Sequence, residues 1–353
     1  MYKQYKSHKI IIKNPAEVNH SSMKRRSKAV LFASFLIPFA AISQYTDVIN
    51  SNRPGLSVSA YAVGTGVIQA EMGISYEQRD HSEISRETDI LGADLSLRYG
   101  LLFETLEINW EGTFENQDIR FPALGMEDSR TDFSRHRLGL KYLVYDPYKD
   151  PERNKPDLYS WRANNLFQLR NLIPAVSVYA GANFVLGDNP FYPGDPTVSP
   201  RAMIATQSKV SPRFVLISNV AYDRIGTDFP EWSYLVSLQH AFRNPKWSVF
   251  IENQGISSDR YADVLLRSGL AYLFNENFQA DINFGASFKS TPTRIFGTMG
   301  FSYRLDFHKD TPIAIDNGDG GPIERNSMKK KKRKVRKNKK GKGAEDIIVD
   351  PPN

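Results

Sequence analysis

The stretch FQADINFGASF, residues 278–288, decides the fold class of this chain. Its apolar side chains alternate with polar or small ones, so that Phe278 and Ile282 share one face while Asp281 and Asn283 share the other. Side chains of a β-strand point to opposite faces in turn. The stretch therefore predicts a strand with one apolar face and one polar face.

The same alternation recurs along residues 66–307, and we count twelve such segments. They run for about 10–13 residues, the length that a tilted strand needs to cross a bilayer. Aromatic residues lie near the segment ends, where membrane interfaces place them. We predict an all-β fold, a transmembrane antiparallel up-and-down β-barrel of about 12 strands. A secreted β-sandwich or solenoid is the alternative, because its half-buried strands would alternate in the same way.

The links between these segments predict an orientation. Those at 100–101, 243–246 and 275–277 are short, as periplasmic turns are. Others are longer, polar and expected to face outward: 79–88, 116–133, 188–200, 223–230 and 255–263. An even number of strands then places both termini in the periplasm. The link at 146–174 is long although it falls on the periplasmic side.

Composition excludes several classes of protein. The 353 residues contain no cysteine, which removes disulfide frameworks, thiolate metal sites and cysteine nucleophiles. No apolar run reaches the length of about 18 residues expected of a membrane-spanning helix. The six histidines show no metal-ligand spacing, so we predict neither a metal site nor a cofactor.

The net charge of +7 comes from the two ends of the chain. Residues 1–43 hold eight bases and one acid, and 328–353 hold eleven bases and three acids. Residues 44–327 therefore hold 27 of the 46 bases and 35 of the 39 acids. Because this central part is acidic, we expect no nucleic-acid partner.

The N-terminal end, residues 1–43, reads as an extension followed by a cleaved signal peptide. Lys24–Lys28 is a positive n-region, and Ala29–Ala40 is an apolar h-region that precedes small residues suited to cleavage. A short buried helix is the alternative for the apolar run, and Met23 is an alternative start. The barrel is assigned to residues 44–307, in the outer membrane of a Gram-negative-type bacterium and in contact with its lipid.

Residues 308–353 read as a periplasmic linker followed by a disordered tail rich in Lys and Arg. Like charges crowded into Met328–Lys342 repel one another and favour disorder. Such a polycation would bind an anionic envelope polymer or lipid headgroup. The alternative is a solvated tail without a partner.

If the apolar face meets lipid, the polar face lines the lumen. Segments three and four are antiparallel neighbours there, so their acids and bases can pair across the strands. Such pairs would form either a charged constriction in a pore or a ladder of salt bridges that fills a narrow barrel. The pore-lining candidates are Glu107, Glu111, Glu115, Arg135, Arg137, Lys141, Asp94 and Arg98.

Catalysis has one weak signal. Ser134 and His136 are two residues apart, which would put them on one strand face, in phase with Leu138. Any Ser-x-His in a strand would match, so we name no catalytic residues. His240 is more typical of packing, and Gly64-x-Gly66 is too short for a phosphate-binding loop.

Several short motifs resemble an outer-membrane β-barrel family labelled as a phenol meta-pathway, transporter-like protein. They are Asn52–Gly55, Tyr61–Gly66, Gln69–Gly73, Gly139–Tyr142, Pro174–Ser177 and Gly300–Leu305. The resemblance covers roughly residues 50–307 and implies a porin-like barrel or a transporter of hydrophobic solutes. This chain departs from the pattern because 46 residues follow Phe307, the aromatic residue that would end the last strand.

Three functions follow from the sequence. The first is an outer-membrane channel or transporter for passive passage of a small solute, hydrophobic solutes included. The second is a structural or anchoring barrel with a plugged lumen, and the third is a barrel lipid hydrolase. The sequence names neither the solute nor the oligomeric state.

Overall fold

A computed structural model describes residues 48–150, 154–160, 162 and 167–308. The predicted signal peptide at 1–43 and the basic tail beyond residue 308 lie outside the described residues. The two 3-10 turns, Ser82–Ile84 and Leu169–Leu172, are single turns. No helix in the described part of the chain is long and apolar enough to span a membrane.

Twelve strands make up the described fold. Their bounds are β1 Val67–His81, β2 Arg86–Gly100, β3 Leu106–Phe121, β4 Met126–Tyr145, β5 Ala175–Phe184, β6 Val198–Ser211, β7 Phe214–Asp223, β8 Glu231–Ala241, β9 Trp247–Ser258, β10 Ala262–Asn275, β11 Phe278–Ser287 and β12 Thr293–Asp306.

Each strand pairs antiparallel with its neighbours in sequence, and β12 pairs with β1 to close the barrel. The closing register aligns Val67 with Asp306, and the backbone N–H of Phe307 donates to the Gly66 carbonyl at 3.3 Å. A closed sheet leaves no unpaired strand edge, which lipid requires. The prediction of an all-β, up-and-down barrel of about 12 strands is confirmed.

The two faces of the wall differ as the alternation predicts. Ile74, Leu91 and Ile251 are large apolar residues exposed on the outside, whereas Glu107 and Ser237 are buried on the inside. An apolar outer band around a polar interior is the arrangement of outer-membrane barrels. We therefore place this barrel in a bacterial outer membrane.

We call the end where Gly66 meets Phe307 the closing end of the barrel, and the opposite end the loop end. The closing end carries the tight β6–β7 and β10–β11 turns at 212–213 and 276–277, together with the long link at 146–174. The loop end carries the links at 185–197 and 224–230.

Aromatic side chains form a ladder around the closing end of the outer wall. Trp247 contacts Tyr272, which contacts Phe274, and the series continues through Phe278 to Tyr303. His240 belongs to the same level. Its ring lies 4.3 Å from that of Phe214 and 5.5 Å from that of Phe242. The histidine thus has a packing role, as the sequence predicted.

Three of the predicted outward loops are wrong in extent. Residues 255–263 are mostly strand, because β9 ends at Ser258 and β10 begins at Ala262. Residues 116–133 are mostly strand, because β3 continues to Phe121 and β4 begins at Met126; likewise, β1 and β2 leave only 82–85 of the 79–88 link as a turn. With 15 to 20 residues, β1–β4 exceed the 9–11 or so that cross a bilayer. These stretches carry polar residues on both faces, such as Asp118 and Arg130, and therefore resembled loops in composition. In the structure they continue the pairing of the strands beyond the membrane.

Candidate functional site

Residues 48–66 run inside the barrel, where they contact the inner face of most strands; we call them the lumen segment. Its first and last contacts lie at the closing end. The Ile49 N–H donates to the Glu276 carbonyl at 2.8 Å, and the Thr65 N–H donates to the Glu104 carboxylate at 3.3 Å. Both acceptors belong to closing-end turns. The segment therefore enters the lumen and returns to the same end.

One anchor of the lumen segment is a buried group of charges on β2, β3 and β4. The Glu107 carboxylate lies 2.9 Å from the Arg98 guanidinium and 3.1 Å from the Lys141 ammonium. It also accepts the Val63 N–H at 2.9 Å, while Lys141 donates to the carbonyls of Ser59 and Tyr61. A buried carboxylate is tolerated when it is paired and hydrogen-bonded. These charges therefore bind the segment as well as each other.

A second anchor holds the middle of the lumen segment against β7 and β9. The Asn219 side chain accepts the Val58 N–H at 2.7 Å and donates to the Val58 carbonyl at 2.8 Å. The Glu252 carboxylate accepts the N–H groups of Leu56 and Ser57. Strand side chains here satisfy backbone groups that no sheet neighbour reaches, as buried backbone requires.

The third anchor is Arg53, whose Nε and Nη2 donate to the Asp281 carboxylate of β11 at 3.0–3.2 Å. Its guanidinium lies over Gly73 of β1 and Gly300 of β12, which face each other across the closing strand pair. A Cβ at either glycine would overlap the guanidinium. The two glycines therefore make the space that the arginine occupies.

The lumen segment joins β1 through a turn that needs two glycines. Gly64 and Gly66 have φ values of 91° and 76°, in the left-handed region that favours glycine, and the Val67 N–H donates to the Gly64 carbonyl at 3.3 Å. The Gly-x-Gly motif thus turns the chain from the lumen into the wall.

The lumen segment leaves a gap beside β8 and β9. A cavity of about 130 Å³ lies between one side of the segment and the wall, with Ile49, Ser51 and Arg53 on the segment and Gln239 and Phe250 on the strands. A water needs about 10–15 Å³ on this measure, so the cavity has room for several waters. The segment therefore narrows the lumen at this level without filling it.

All eight pore-lining candidates lie on the inner face of β2, β3 and β4, but they do not form one site. Glu107, Arg98 and Lys141 meet in the first anchor, and Glu111 lies 3.7 Å from Arg137. The other three candidates do not form the acid–base pairs that the sequence predicted. Glu115 accepts hydrogen bonds from Ser134 and Gln117, and Asp94 accepts one from Thr113. Arg135 makes no hydrogen bond or ion pair with the described residues. Their pore-lining role stays a prediction.

Sequence reasoning missed a second group of charges toward the loop end, the Asp223 cluster of Arg137, Asn183, Arg201 and Asp223. Asp223 Oδ2 lies 2.6 Å from an Arg137 nitrogen and 2.5 Å from an Arg201 nitrogen. Asn183 donates to the other carboxylate oxygen. Arg201 and Asp223 belong to β6 and β7, whose weak alternation concealed which residues face inward.

The Ser134–His136 pair does not exist as the sequence suggested. A β-bulge shifts the β3–β4 register between Thr113 and Phe114, so spacing by two no longer keeps one face. Ser134 Oγ donates to the Glu115 carboxylate at 2.7 Å, while His136 Nε2 accepts from the indole of Trp110 at 3.1 Å. The two side chains thus have different partners, and no serine–histidine dyad forms.

The long link at 146–174 folds back onto the closing end of β6. Tyr148 donates to the Asn171 carbonyl at 3.2 Å and accepts the Lys209 N–H at 2.6 Å. Next to it, Tyr61 of the lumen segment donates to Asp146 at 3.2 Å, and burial, with the nearby Asp146 charge second, raises the pKa of the Tyr61 phenol. The link thus contacts the segment as well as the wall.

No group of three or more acidic or histidine side chains in the described ranges could hold a metal ion.

Comparisons with known proteins agree with the fold. Residues 51–305 match the model of the family described as "Putative MetA-pathway of phenol degradation". A comparison with the curated proteins found no match. Similar solved structures include an outer membrane channel from Pseudomonas putida F1, at 10% identity over 73% of this chain and 100% of that chain, with a TM-score of 0.48.

Two further structures are similar at a lower level. The NanC porin has 9% identity over 66% of this chain and 100% of that chain, with a TM-score of 0.42. The CymD monoaromatic hydrocarbon channel has 10% identity over 69% and 90%, with a TM-score of 0.38. Likeness at this level does not bear on what the barrel carries.

Proposed function

The chain belongs to the family that its residues 51–305 match, and we propose that it is an outer-membrane channel for passive passage of a small solute, hydrophobic solutes included. The observation that carries the proposal is the gap between the lumen segment and the β8–β9 wall. The wall itself is lined by polar side chains, which is typical of a solute path. We propose that solutes pass along this gap.

The proposed orientation has the closing end, and with it both chain termini, in the periplasm. Tight turns such as those at 212–213 and 276–277 lie at the closing end, and short turns are typical of the periplasmic side of such barrels. The longer links at 185–197 and 224–230 would then face the outside. Solutes would meet the Asp223 cluster first and the lumen segment second.

Liposome swelling tests the channel. We expect liposomes that contain the wild-type barrel to swell in small neutral solutes such as glycerol, faster than protein-free liposomes. A variant that lacks residues 48–61 should swell several-fold faster, because the segment that narrows the path is gone. Heat-modifiable gel migration of both proteins serves as the control for assembly. If both assembled barrels swell no faster than protein-free liposomes, the channel is rejected.

A structural barrel with a plugged lumen is the second candidate, and the number of anchors favours it. Side chains from β1, β2, β3, β4, β6, β7, β9, β11 and β12 all bind the lumen segment. The same experiment separates the two candidates. If the wild-type barrel passes no solute but the deletion variant does, the segment is a permanent plug and the structural candidate is supported.

A further inference from the structure

The long link between β4 and β5 contains a short stretch of exposed apolar side chains, residues 167–173, which we call the link turn. Its sequence is FQLRNLI, and four of these seven residues are large and apolar. The four, all exposed, are Phe167, Leu169, Leu172 and Ile173. Contiguous exposed apolar residues mark a surface that contacts a partner or lipid. The place of the link turn on the barrel decides between the two.

The link turn lies against the outer face of β6. Ser208 Oγ of that strand donates to the Leu172 carbonyl at 3.0 Å. Ser208 and Ile204 share the outer face, because they are four residues apart on one strand. Ile204 is 52% exposed, whereas Ser208 is only 5% exposed. The link therefore covers the wall at Ser208, and the exposed side chains of the link turn lie outside the barrel.

The link turn is close to the level of the aromatic ladder. Ser208 pairs with Leu216 of β7, and two residues before Leu216 on the same outer face is Phe214, whose ring contacts His240 of the ladder. Two residues correspond to about 7 Å along a strand. Aromatic residues of a barrel gather where the hydrocarbon meets the headgroups. The link turn is therefore at the depth of a membrane interface.

The wall beneath the link turn has a break in its aromatic ladder. At the closing end of β5 and β6 the outward residues are small or β-branched: Val176, Val178, Thr206, Ser208 and Val210. The strands on either side, β4 and β7, carry the outward aromatics Tyr142 and Phe214 there. The link turn, with its phenylalanine and leucines, thus covers the part of the wall that lacks large apolar residues of its own.

The backbone of the link turn is suited to a poorly hydrated place. The Asn171 N–H donates to the Gln168 carbonyl at 2.9 Å, and the Asn171 carbonyl accepts the Tyr148 hydroxyl at 3.2 Å. The Leu172 carbonyl accepts from Ser208, as described above. Backbone groups without a partner are costly in lipid. The link turn satisfies these groups within the protein and leaves its apolar side chains free to contact lipid.

We propose that the link turn is a membrane anchor, whose apolar side chains enter the acyl region beside the headgroups at the closing end. Lipid is the occupant because the link turn continues the outer surface that already faces lipid. Arg170 suits this place, since an interfacial arginine keeps its charge at the headgroups while its stem contacts lipid. The anchor also accounts for the length of the link, which joins neighbouring strands but reaches β6 on the way.

Nitroxide labels on full-length barrels in liposomes of phosphatidylethanolamine and phosphatidylglycerol test the anchor. The chain has no cysteine, so each single-cysteine variant carries one label. Leu169→Cys and Leu172→Cys report on the link turn. Ile204→Cys on the outer wall is the lipid reference, and Lys246→Cys in an exposed turn of the closing end is the water reference.

The depth of each label follows from its collisions with oxygen, which concentrates in lipid, and with a nickel chelate, which stays in water. We expect the ratio of oxygen to nickel collisions in Leu169→Cys and Leu172→Cys to exceed that in Lys246→Cys several-fold. The ratio should approach that in Ile204→Cys. Neither the proposed channel nor its orientation affects this result, because each end of the wall meets a leaflet and no solute has to pass.

Leu169→Asp, combined with Leu172→Cys, should move the link turn toward water, because a carboxylate is costly in the acyl region. Collisions of the label with the nickel chelate should rise several-fold. Asn244→Asp in the same background is the matched control, since it adds the same charge to an exposed turn at the same end. Heat-modifiable gel migration of each variant checks that the barrel is assembled.

Three results would overturn the anchor. Labels in the link turn that meet the nickel chelate as often as the label of Lys246→Cys would place it in water. Protection from both oxygen and the nickel chelate would mean that protein covers it rather than lipid. An unchanged collision ratio in the assembled Leu169→Asp barrel would show that the apolar side chains do not hold the link turn in the membrane.

Discussion

Arg53 of the lumen segment binds Asp281 of β11 through Nε and Nη2, and it does so in a space that two facing glycines leave open. The pair joins the segment to the wall across 228 residues of sequence. Gly73 and Gly300, which leave that space, belong to the strand pair that closes the barrel. The position of the segment is therefore coupled to the seam between the first and last strands.

Gly73→Ala should loosen the lumen segment, because the new Cβ would overlap the Arg53 guanidinium and push it from Asp281. We expect a several-fold rise in conductance across planar bilayers. Gly112→Ala is the matched control, because its Cβ would meet only the Trp110 side chain, at 3.2 Å. Unchanged conductance in an assembled Gly73→Ala barrel would show that Arg53 does not hold the segment.

Glu107→Gln should destabilise the barrel strongly. The change leaves Arg98 and Lys141 buried without their shared carboxylate, and removal of one partner from a buried ion pair costs about 3–5 kcal/mol. Urea unfolding in detergent micelles measures the loss. Glu87→Gln provides the control, since Glu87 is half-exposed and lies 3.8 Å from Arg120. Exposed pairs contribute about 0–1 kcal/mol, so similar losses in the two variants would contradict the burial argument.

The sequence predicted the wall of the barrel because the alternation of apolar and polar residues is a direct consequence of strand geometry. Pairs such as Glu107 and Lys141 followed from the same parity, since antiparallel neighbours on one face meet across the strands. The alternation of inward and outward side chains is interrupted at Ser134, where a bulge adds one residue to β4. A bulge leaves no mark in the hydrophobic pattern, so the face of Ser134 could not be predicted.

The sequence also did not predict that residues 48–66 lie inside the barrel. Their backbone is bound by side chains from strands far away in sequence, such as Asn219 and Glu252, and no local pattern encodes such contacts. One signal was present. Asn52–Gly55 and Gly64-x-Gly66 are rich in turn residues and lack strand alternation, which fits a chain that has not yet joined the wall.

Asp195→Asn should release three loops at the loop end. Asp195 in the β5–β6 link binds Arg224 at 2.8 Å and Arg260 at 2.6 Å, and these arginines belong to the β7–β8 and β9–β10 links. We expect trypsin to cleave after Arg224 and Arg260 several-fold faster in the variant. Asp128→Asn is the control, because it removes a more exposed pair with Arg130. Equal cleavage of wild-type and Asp195→Asn barrels would show that this carboxylate does not hold the loops together.

Deletion of residues 328–353 should leave the barrel intact, although it removes the eleven bases of the basic tail. The wall closes entirely within residues 67–306, through the pairing of β1 with β12, and the last described contacts lie at Phe307 and His308. Closure pairs every strand edge, so the tail has no role in the hydrogen bonding that a bilayer demands. We expect the truncated barrel to show the change in gel migration that heating causes, at the same temperature as the wild-type barrel. A truncated chain that migrates as unfolded protein without heating would show that the tail takes part in assembly. A separate measurement tests whether the tail has an anionic partner: binding of anionic vesicles by the full chain, but not by an assembled truncated chain, would show that it does.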